Sequence, residues 1–181
     1  VSKRLLWDLL LLNRRAAGWV CNDAKSCYDR IVHWVAVLSL LRFGMPWGPV
    51  NSMFSTLQQS THRVRTGFGD SQCSFTPPTD VPFQGCGQCN GAGPTMWVAI
   101  SSILISMMAT TGFGLSLLSA LSCAVVVANC LSFVDDTDLV HAAAHSDTSG
   151  VALLPDVQRA VNLWSGGISA TGGCLTSCGI L

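Results

Sequence analysis

Two acidic segments of this chain lie next to strongly apolar sequence. Asp23 follows the apolar residues 19–21, and the doublet Asp135-Asp136 follows the apolar run 124–134. Carboxylates beside apolar strands are costly to bury without a partner, and repulsion between neighbouring charges raises that cost. A divalent cation removes it, because Mg²⁺ prefers hard oxygen ligands, and two such ions about 4 Å apart stabilise the attacking and leaving oxygens of a displacement. The pattern fits a site for two Mg²⁺ ions, or for Mn²⁺, while the doublet taken alone is more typical of an acidic β-turn.

A glycine-rich segment, residues 84–94, precedes a long apolar run. It holds four glycines and ends in Pro94. Glycine lets the backbone approach a substrate closely, and a proline at the start of a helix leaves free N–H groups beside it. The segment is typical of a loop that lines a binding site, although a plain connection fits the same residues. It is not a dinucleotide fingerprint, because no strand–loop–helix unit with a later ribose-binding acid accompanies it.

Basic residues concentrate near the start of the chain. Nine of the ten lie within the first 65 positions, so a nucleic-acid footprint is expected in the N-terminal part. Arg63 and Arg65 alternate on a predicted strand, where they fit either contacts to phosphates or a solvated strand face.

The elements that position these residues follow from periodicity and from Gly and Pro punctuation. The predicted helices cover residues 3–17, 28–43, 49–60, 96–108 and 155–164, the last ended by Gly166-Gly167. The predicted strands cover residues 19–22, 62–68, 124–133, 137–141 and 168–175, and residues 69–80 are expected to form a loop. Strands and helices mix without regular βαβ repetition, which favours an α+β fold.

Composition excludes several classes of protein. The 181 residues carry no net charge, 49% are hydrophobic and 11% are charged, against roughly 25% charged in a typical domain. Intrinsic disorder is therefore excluded, and one domain or a piece of a larger one is expected. The two uncharged stretches 95–111 and 115–134 approach membrane-spanning length, but their polar residues and missing aromatic belts favour buried elements, and no membrane partner is expected.

Nine cysteines, an odd number, come without a secretory signal. This favours an intracellular chain with free thiols, in the nucleus or the cytoplasm. Cys86 and Cys89 have metal-binding spacing and Cys174 and Cys178 lie four apart, so a four-cysteine zinc site stays open as an alternative.

The order of the motifs resembles the reverse transcriptase family, the right-hand polymerases that copy RNA into DNA. Asp23 followed by Tyr28-Asp29 looks like the first motif of that family's palm. Gln84-Gly85, with the glycines before the next helix, looks like the second, and Phe133-Val134-Asp135-Asp136 looks like the third. Residues 164–173, a helix and a glycine-rich turn, are similar to the fourth. The amino-acid sequence of residues 23–33 resembles that of reverse transcriptases of the retrotransposon type.

The resemblance implies a fold and a role for each matching residue. It implies a right-hand polymerase palm, with an RRM/ferredoxin-like antiparallel sheet and helices on one face. Residues 19–181 would be a partial palm, lacking full fingers and thumb, and residues 1–18 the end of the fingers or a connecting helix. Asp23 and Asp135 would be the main ligands of both metal ions, and Asp136 a secondary carboxylate.

The implied substrates are an RNA template, a DNA primer and a deoxynucleoside triphosphate. Tyr28 would lie under the sugar of the incoming nucleotide and exclude a 2′-hydroxyl, while Gln84 and Gly85 would line the nucleotide and template side. A catalytically inactive palm-fold remnant or a nucleic-acid-binding module stays open, because residues 174–179 lack the lysine that usually follows the fourth motif.

Overall fold

The computed structural model of the chain describes residues 2–78, 83–87, 91–119, 121–133 and 136–180. Helices and strands mix within these ranges, which confirms the α+β class expected from the sequence. The helices are α1 (Ser2–Leu12), α2 (Cys27–Arg30), α3 (His33–Arg42), α4 (Trp47–Gln58), α5 (Gly93–Thr110) and α6 (Gly150–Ala170). The strands are β1 (Ala17–Ala24), β2 (His62–Thr66), β3 (Gly69–Phe75), β4 (Leu115–Leu118), β5 (Val125–Ala128), β6 (Cys130–Phe133), β7 (Asp136–Ala142) and β8 (Leu175–Ile180).

A four-stranded antiparallel sheet forms the centre of the fold. Its order is β6-β7-β1-β8, so β1 lies between two strands that come much later in the chain. Helices separate β1 from the β6–β7 hairpin, and α6 separates β7 from β8, which is the split βαβ arrangement of ferredoxin-like folds. The pairing expected between the strand at Asp23 and the later hairpin is confirmed.

Both faces of this sheet are covered, because side chains alternate between faces along each strand. Val20 and Leu139 belong to the larger core, in which α6 packs on β1 and β7 while α5 packs on α6 and α3. Trp19 and Val140 belong to a second core on the opposite face, which α1 covers with Leu6 and Leu10. The helix that covers this second face, α1, lies within residues 1–18, which the sequence placed outside the palm, whereas α3, α5 and α6 all belong to the larger core on the other face.

The helix expected over residues 28–43 is interrupted. It consists of α2 and α3, with Ile31 and Val32 between them. Both break residues use their backbone groups in tertiary contacts: Gly85 N–H donates to the Ile31 carbonyl at 2.8 Å, and Val32 N–H donates to the Thr171 carbonyl at 3.0 Å. Apolar periodicity continues through the break, so the sequence pattern alone did not reveal it.

Two further boundaries differ near the start of the chain. The helix expected over residues 3–17 ends at Leu12, because Arg14 has a φ of +49° and Ala17 already begins β1. The loop expected over 69–80 contains β3, which pairs with β2 in a hairpin. Its residues are mostly exposed and polar, so no apolar alternation marked the strand.

The strand expected over residues 124–133 divides at Asn129 into β5 and β6. Only β6 joins the central sheet; β5 pairs with β4 in a separate hairpin. The valines that predicted a buried strand are exposed, with 67% of Val125, 53% of Val126 and 49% of Val127 accessible to solvent. The valines therefore predicted a strand correctly, but the prediction that this strand is buried was wrong.

The last helix is longer than its sequence signals predicted. Ser149 caps α6 by accepting a hydrogen bond from Ala152 N–H at 3.2 Å, and Pro155 lies inside the helix. Gly167 does not end the helix; it gives room for Leu104 and Met107 of α5 to approach. The strand expected over 168–175 is wrong, because α6 runs to Ala170 and β8 begins only at Leu175.

Candidate functional site

The antiparallel ladder between β1 and β7 places two acids opposite each other. Asp23 pairs in register with Asp136, and Phe133 of β6 pairs with Asp136 on its other side. Residues directly opposite in such a ladder project from the same face, with Cβ atoms about 4.5–5.5 Å apart. Both aspartates are exposed. The structure therefore brings together two acids that are far apart in the sequence.

Asp135, the other member of the doublet, lies outside the described residues together with Val134. The described strands end at Phe133 and resume at Asp136. Among the described residues, no group of three or more His, Cys or Asp side chains is arranged to hold a metal ion.

The acid pair has the donor chemistry that a hard divalent cation needs. Like charges directly opposite each other in a ladder destabilise it, and a shared cation relieves that repulsion. Asp138 projects from the same face two residues later; it is buried and pairs with Lys3 of α1. The pKa of Lys3 is raised, chiefly by its hydrogen bond to Asp138. Lys3 thus neutralises Asp138, and the exposed Asp23 and Asp136 carboxylates provide oxygen donors on the same face of the sheet.

The glycine-rich loop is fastened to the turn that carries Tyr28. Cys86 N–H donates to the Tyr28 carbonyl at 2.8 Å, and Gly85 N–H donates to the carbonyl of Ile31. The Tyr28 ring is half-buried against Gly93, where an added Cβ would lie 3.4 Å from Tyr28 Cδ1. Tyr28, Gln84 and Gly85, singled out separately in the sequence, therefore form one corner of the molecule.

The glycine at position 85 is required by its surroundings. Its φ is +79°, in the left-handed region, and a Cβ there would overlap the backbone of Asp29. No side chain fits between the loop and α2 at this point.

Gln84 and His33 are joined at the first turn of α3. His33 backbone N–H donates to Gln84 Oε1 at 3.0 Å, so this side chain satisfies one of the helix's initial N–H groups. The His33 ring is buried, with Nε2 at 2.6 Å from the Gly85 carbonyl and Nδ1 at 3.1 Å from Gln58 Nε2 of α4. Burial lowers the pKa of His33, against the opposing effect of the Gly85 bond.

Sequence reasoning missed His33. The available signal was a histidine on an otherwise apolar helix, shortly after Tyr28. Nothing in the local pattern indicated that the glycine loop, about fifty residues later, supplies its partner.

The fourth segment of the resemblance reaches the same corner. After α6 ends, Val32 N–H donates to the Thr171 carbonyl, and Lys25 N–H donates to the Cys174 carbonyl at 2.8 Å. The turn at Gly172 passes so close to the Arg30 carbonyl that a Cβ would overlap it. The first, second and fourth segments thus meet through backbone contacts, and the first also pairs with the third across the sheet.

Solved structures of telomerase match this chain, while no family model and no curated protein does. The apo telomerase of Candida tropicalis truncated from its C-terminal domain matches with a TM-score of 0.62 and 16% identity, over 99% of this chain and 34% of that chain. The same organism's telomerase in complex with a TWJ fragment of telomeric RNA gives 0.60 and 15%, over 99% and 29%. Telomerase from Candida albicans with a TWJ fragment gives 0.52 and 12%, over 99% and 29%.

Telomerase is a member of the reverse transcriptase family. This chain has a reverse-transcriptase-like fold. The chain spans about a third of the length of the truncated Candida tropicalis telomerase. Because the sequence identity is only 16%, the similarity concerns the fold.

The two arginines lie on a separate part of this reverse-transcriptase-like fold. Arg63 and Arg65 are exposed on β2, in the two-stranded β2–β3 hairpin. Arg65 Nε lies 2.7 Å from Asp70 Oδ1 within the same hairpin. One of the two charges is therefore partly compensated at the surface, and a contact to phosphates stays a prediction.

The zinc and membrane alternatives concern Cys86 and helix α5, and both are packed within this fold. Cys89 lies outside the described residues, and Cys86 is a buried free thiol whose pKa is raised, first of all by burial. One helix in the described part, α5, is long and apolar enough to cross a membrane, and it packs between α3 and α6.

Proposed function

We propose that this chain is the palm of an RNA-directed DNA polymerase of a retroelement. On an RNA template, the 3′-hydroxyl of a DNA primer would attack the α-phosphorus of a deoxynucleoside triphosphate and release pyrophosphate. The observation that carries the proposal is the register that places Asp23 of β1 opposite Asp136, the first residue of β7. The reverse-transcriptase-like fold supports it, as do the RNA complexes of the matching telomerases.

Asp23, Asp135 and Asp136 would hold the metal ions of this reaction. Two Mg²⁺ ions supply stabilisation of the attacking and leaving oxygens during the displacement. The chain's part is to hold the carboxylates in place: β1 fixes Asp23 and β7 fixes Asp136, both in a sheet packed on two faces. Ligands on paired strands vary less in position than ligands on loops.

The Tyr28 corner would bind the incoming nucleotide. As the resemblance implies, the Tyr28 ring would lie under the sugar of the incoming nucleotide and exclude a 2′-hydroxyl. Gln84 and Gly85 would form the adjoining wall, because the loop hydrogen-bonds to the Tyr28 turn. Arg63 and Arg65 would contact backbone phosphates of the template or the primer, which position a nucleic acid without reading its sequence.

A catalytically inactive palm-fold remnant, or a nucleic-acid-binding module on the same fold, is the second candidate. The observation that favours it is the segment 174–179, Cys-Leu-Thr-Ser-Cys-Gly, which carries no lysine after the fourth motif. Such a protein would bind nucleic acid without extending a primer.

Primer extension by a complete enzyme that includes this chain separates the two candidates. Asp23→Asn and Asp135→Asn keep side-chain size and remove one charged ligand each, so extension should fall by orders of magnitude. Asp147→Asn, in an exposed loop between β7 and α6, is the matched control and should extend primers normally. Melting with and without Mg²⁺ should show stabilisation by the ion in the wild type and less in the two site variants.

Two results would contradict the polymerase. Normal extension by Asp135→Asn would end the two-metal assignment. A correctly folded wild type that binds nucleic acid but extends no primer with Mg²⁺ or Mn²⁺ would favour the inactive remnant.

A further inference from the structure

His33 is a buried polar residue that the proposed chemistry does not use. Only 3% of its surface is exposed, at the first turn of α3. Its ring packs on Phe54 of α4 with ring centroids 4.8 Å apart. Its two ring nitrogens face different segments: Nε2 faces the Gly85 carbonyl, and Nδ1 faces the side chain of Gln58.

These partners fix the protonation state of the ring. A carbonyl oxygen only accepts, so Nε2 carries the proton and donates to Gly85 at 2.6 Å. Nδ1 is then the acceptor for the Gln58 amide at 3.1 Å. A neutral imidazole has one donor and one acceptor, which agrees with the pKa being lowered by burial.

The glycine loop is therefore held from two sides. On one side, Gly85 and Cys86 donate their N–H groups to the carbonyls of Ile31 and Tyr28, both at 2.8 Å. On the other side, His33 binds the Gly85 carbonyl with its ring and the Gln84 side chain with its backbone. The position of the loop against the Tyr28 turn thus depends on His33, which is itself buried.

We propose that His33 is a positioning residue, which sets the wall of the nucleotide pocket by holding Gln84 and Gly85 against the Tyr28 turn. This inference rests on the proposed polymerase function. Removing the ring nitrogens leaves the buried Gly85 carbonyl without its donor, and the loop then moves to find water. A looser wall weakens binding of the nucleotide more than it slows the chemistry, because the carboxylates are held separately on β1 and β7.

Three variants of the complete enzyme test the proposal. His33→Phe keeps ring volume and packing on Phe54 but removes both hydrogen bonds. His33→Gln places an amide N–H near the position of Nε2 and should restore the bond to Gly85. His141→Phe is the matched control: His141 is half-buried, its Nδ1 accepts from Gly114 N–H at 3.1 Å, and it pairs with Gly18 at the far end of β1 from Asp23.

Two measurements are needed. Amide hydrogen exchange reports the loop directly: in His33→Phe, exchange at residues 84–86 should rise about tenfold, the loss expected from one buried hydrogen bond. Steady-state extension reports the pocket: KM for the deoxynucleotide should rise about tenfold while kcat changes by less than about threefold. His33→Gln should recover most of both losses, and His141→Phe should change neither.

Each contrary outcome identifies what has failed. Unchanged exchange at 84–86 in His33→Phe overturns the role of His33 in holding the loop. Faster exchange with an unchanged KM overturns the link between the loop and the nucleotide. If the wild type extends no primer, the proposed function fails and the nucleotide part of the inference falls with it, while hydrogen exchange still decides whether His33 holds the loop.

Discussion

Gly85 is the residue at which the glycine-rich loop meets α2. The local backbone is left-handed there, and the space that a side chain would occupy holds the Asp29 backbone. Gly87, two residues later, has a similar φ of +69° but open space around its Cα. Substituting each glycine in turn therefore distinguishes the free-energy cost of the left-handed conformation, present at both positions, from the cost of steric overlap, present only at Gly85.

Gly85→Ala and Gly87→Ala should therefore differ in their effect on stability. Gly87→Ala should lower the free energy of unfolding by about 1 kcal/mol, the cost of a non-glycine residue in the left-handed region. Gly85→Ala should lower it by more than about 3 kcal/mol, because backbone atoms must move as well. Urea denaturation of both variants measures the difference, and equal losses would mean that the loop does not lie against Asp29.

At the scale of the elements, α1 is fastened to the sheet by charge as well as by apolar packing. Leu6 and Leu10 lie on Trp19, and the Trp7 and Trp19 rings meet edge to face with centroids 6.3 Å apart. Lys3 adds the ion pair to Asp138, the buried acid next to the candidate site. Without Lys3, an uncompensated carboxylate would remain in a largely apolar environment.

Lys3→Met should destabilise the chain by up to about 2 kcal/mol, a reduced value because the lysine end of the pair is exposed. In the Asp138→Asn background, the same change should cost much less, since no buried charge remains. A double-mutant cycle by urea denaturation measures the coupling. Because the pKa of Lys3 is raised, its contribution should persist through neutral pH and be lost only as the pH rises beyond the ordinary lysine value of 10.5. Identical losses in both backgrounds would refute the coupling.

Local sequence patterns predicted some of these elements and site residues and failed to predict others. Asp23 and the glycines of residues 84–94 were singled out from residue type, because acids and glycines beside apolar runs are unusual, whereas Tyr28 and Gln84 were named from the resemblance to the reverse transcriptase family. The break at Ile31-Val32 was not found, since its cause is hydrogen bonding to Gly85 and Thr171, which are distant in the chain. The division of 124–133 was missed for the same kind of reason: propensity says that valine forms strands, but the partner strand decides which of them are buried.

At the scale of the whole molecule, the apolar surface is unevenly distributed. The β4–β5 hairpin exposes three consecutive valines, and residues 115–128 carry no charge. In the described part of the chain, this sheet has two strands, so each strand has an edge without a partner. Uncharged apolar edge strands are templates for pairing between molecules.

Val126→Lys should therefore reduce concentration-dependent association of the protein, because a charge on the strand opposes edge-to-edge pairing. Val151→Lys, at an exposed position of α6 with 77% of its surface accessible, adds the same charge away from any strand edge. Sedimentation velocity over a range of concentrations compares the two. If both variants lower association equally, net charge rather than the hairpin edge controls it.

The central position of β1 has a consequence for how the chain folds as it is made. β1 leaves the ribosome well before its two neighbours in the sheet, β7 and β8, which lie at residues 136–142 and 175–180. Both of its edges stay open until those strands are made, and Val20, in the core on which α6 packs, stays accessible until residues 150–170 emerge. Pairings between distant segments form slowly and leave strand edges exposed to other molecules meanwhile. The nascent chain accordingly exposes an extended apolar segment for that interval, and the two opposed aspartates first meet when the β6–β7 hairpin pairs with a strand synthesised long before.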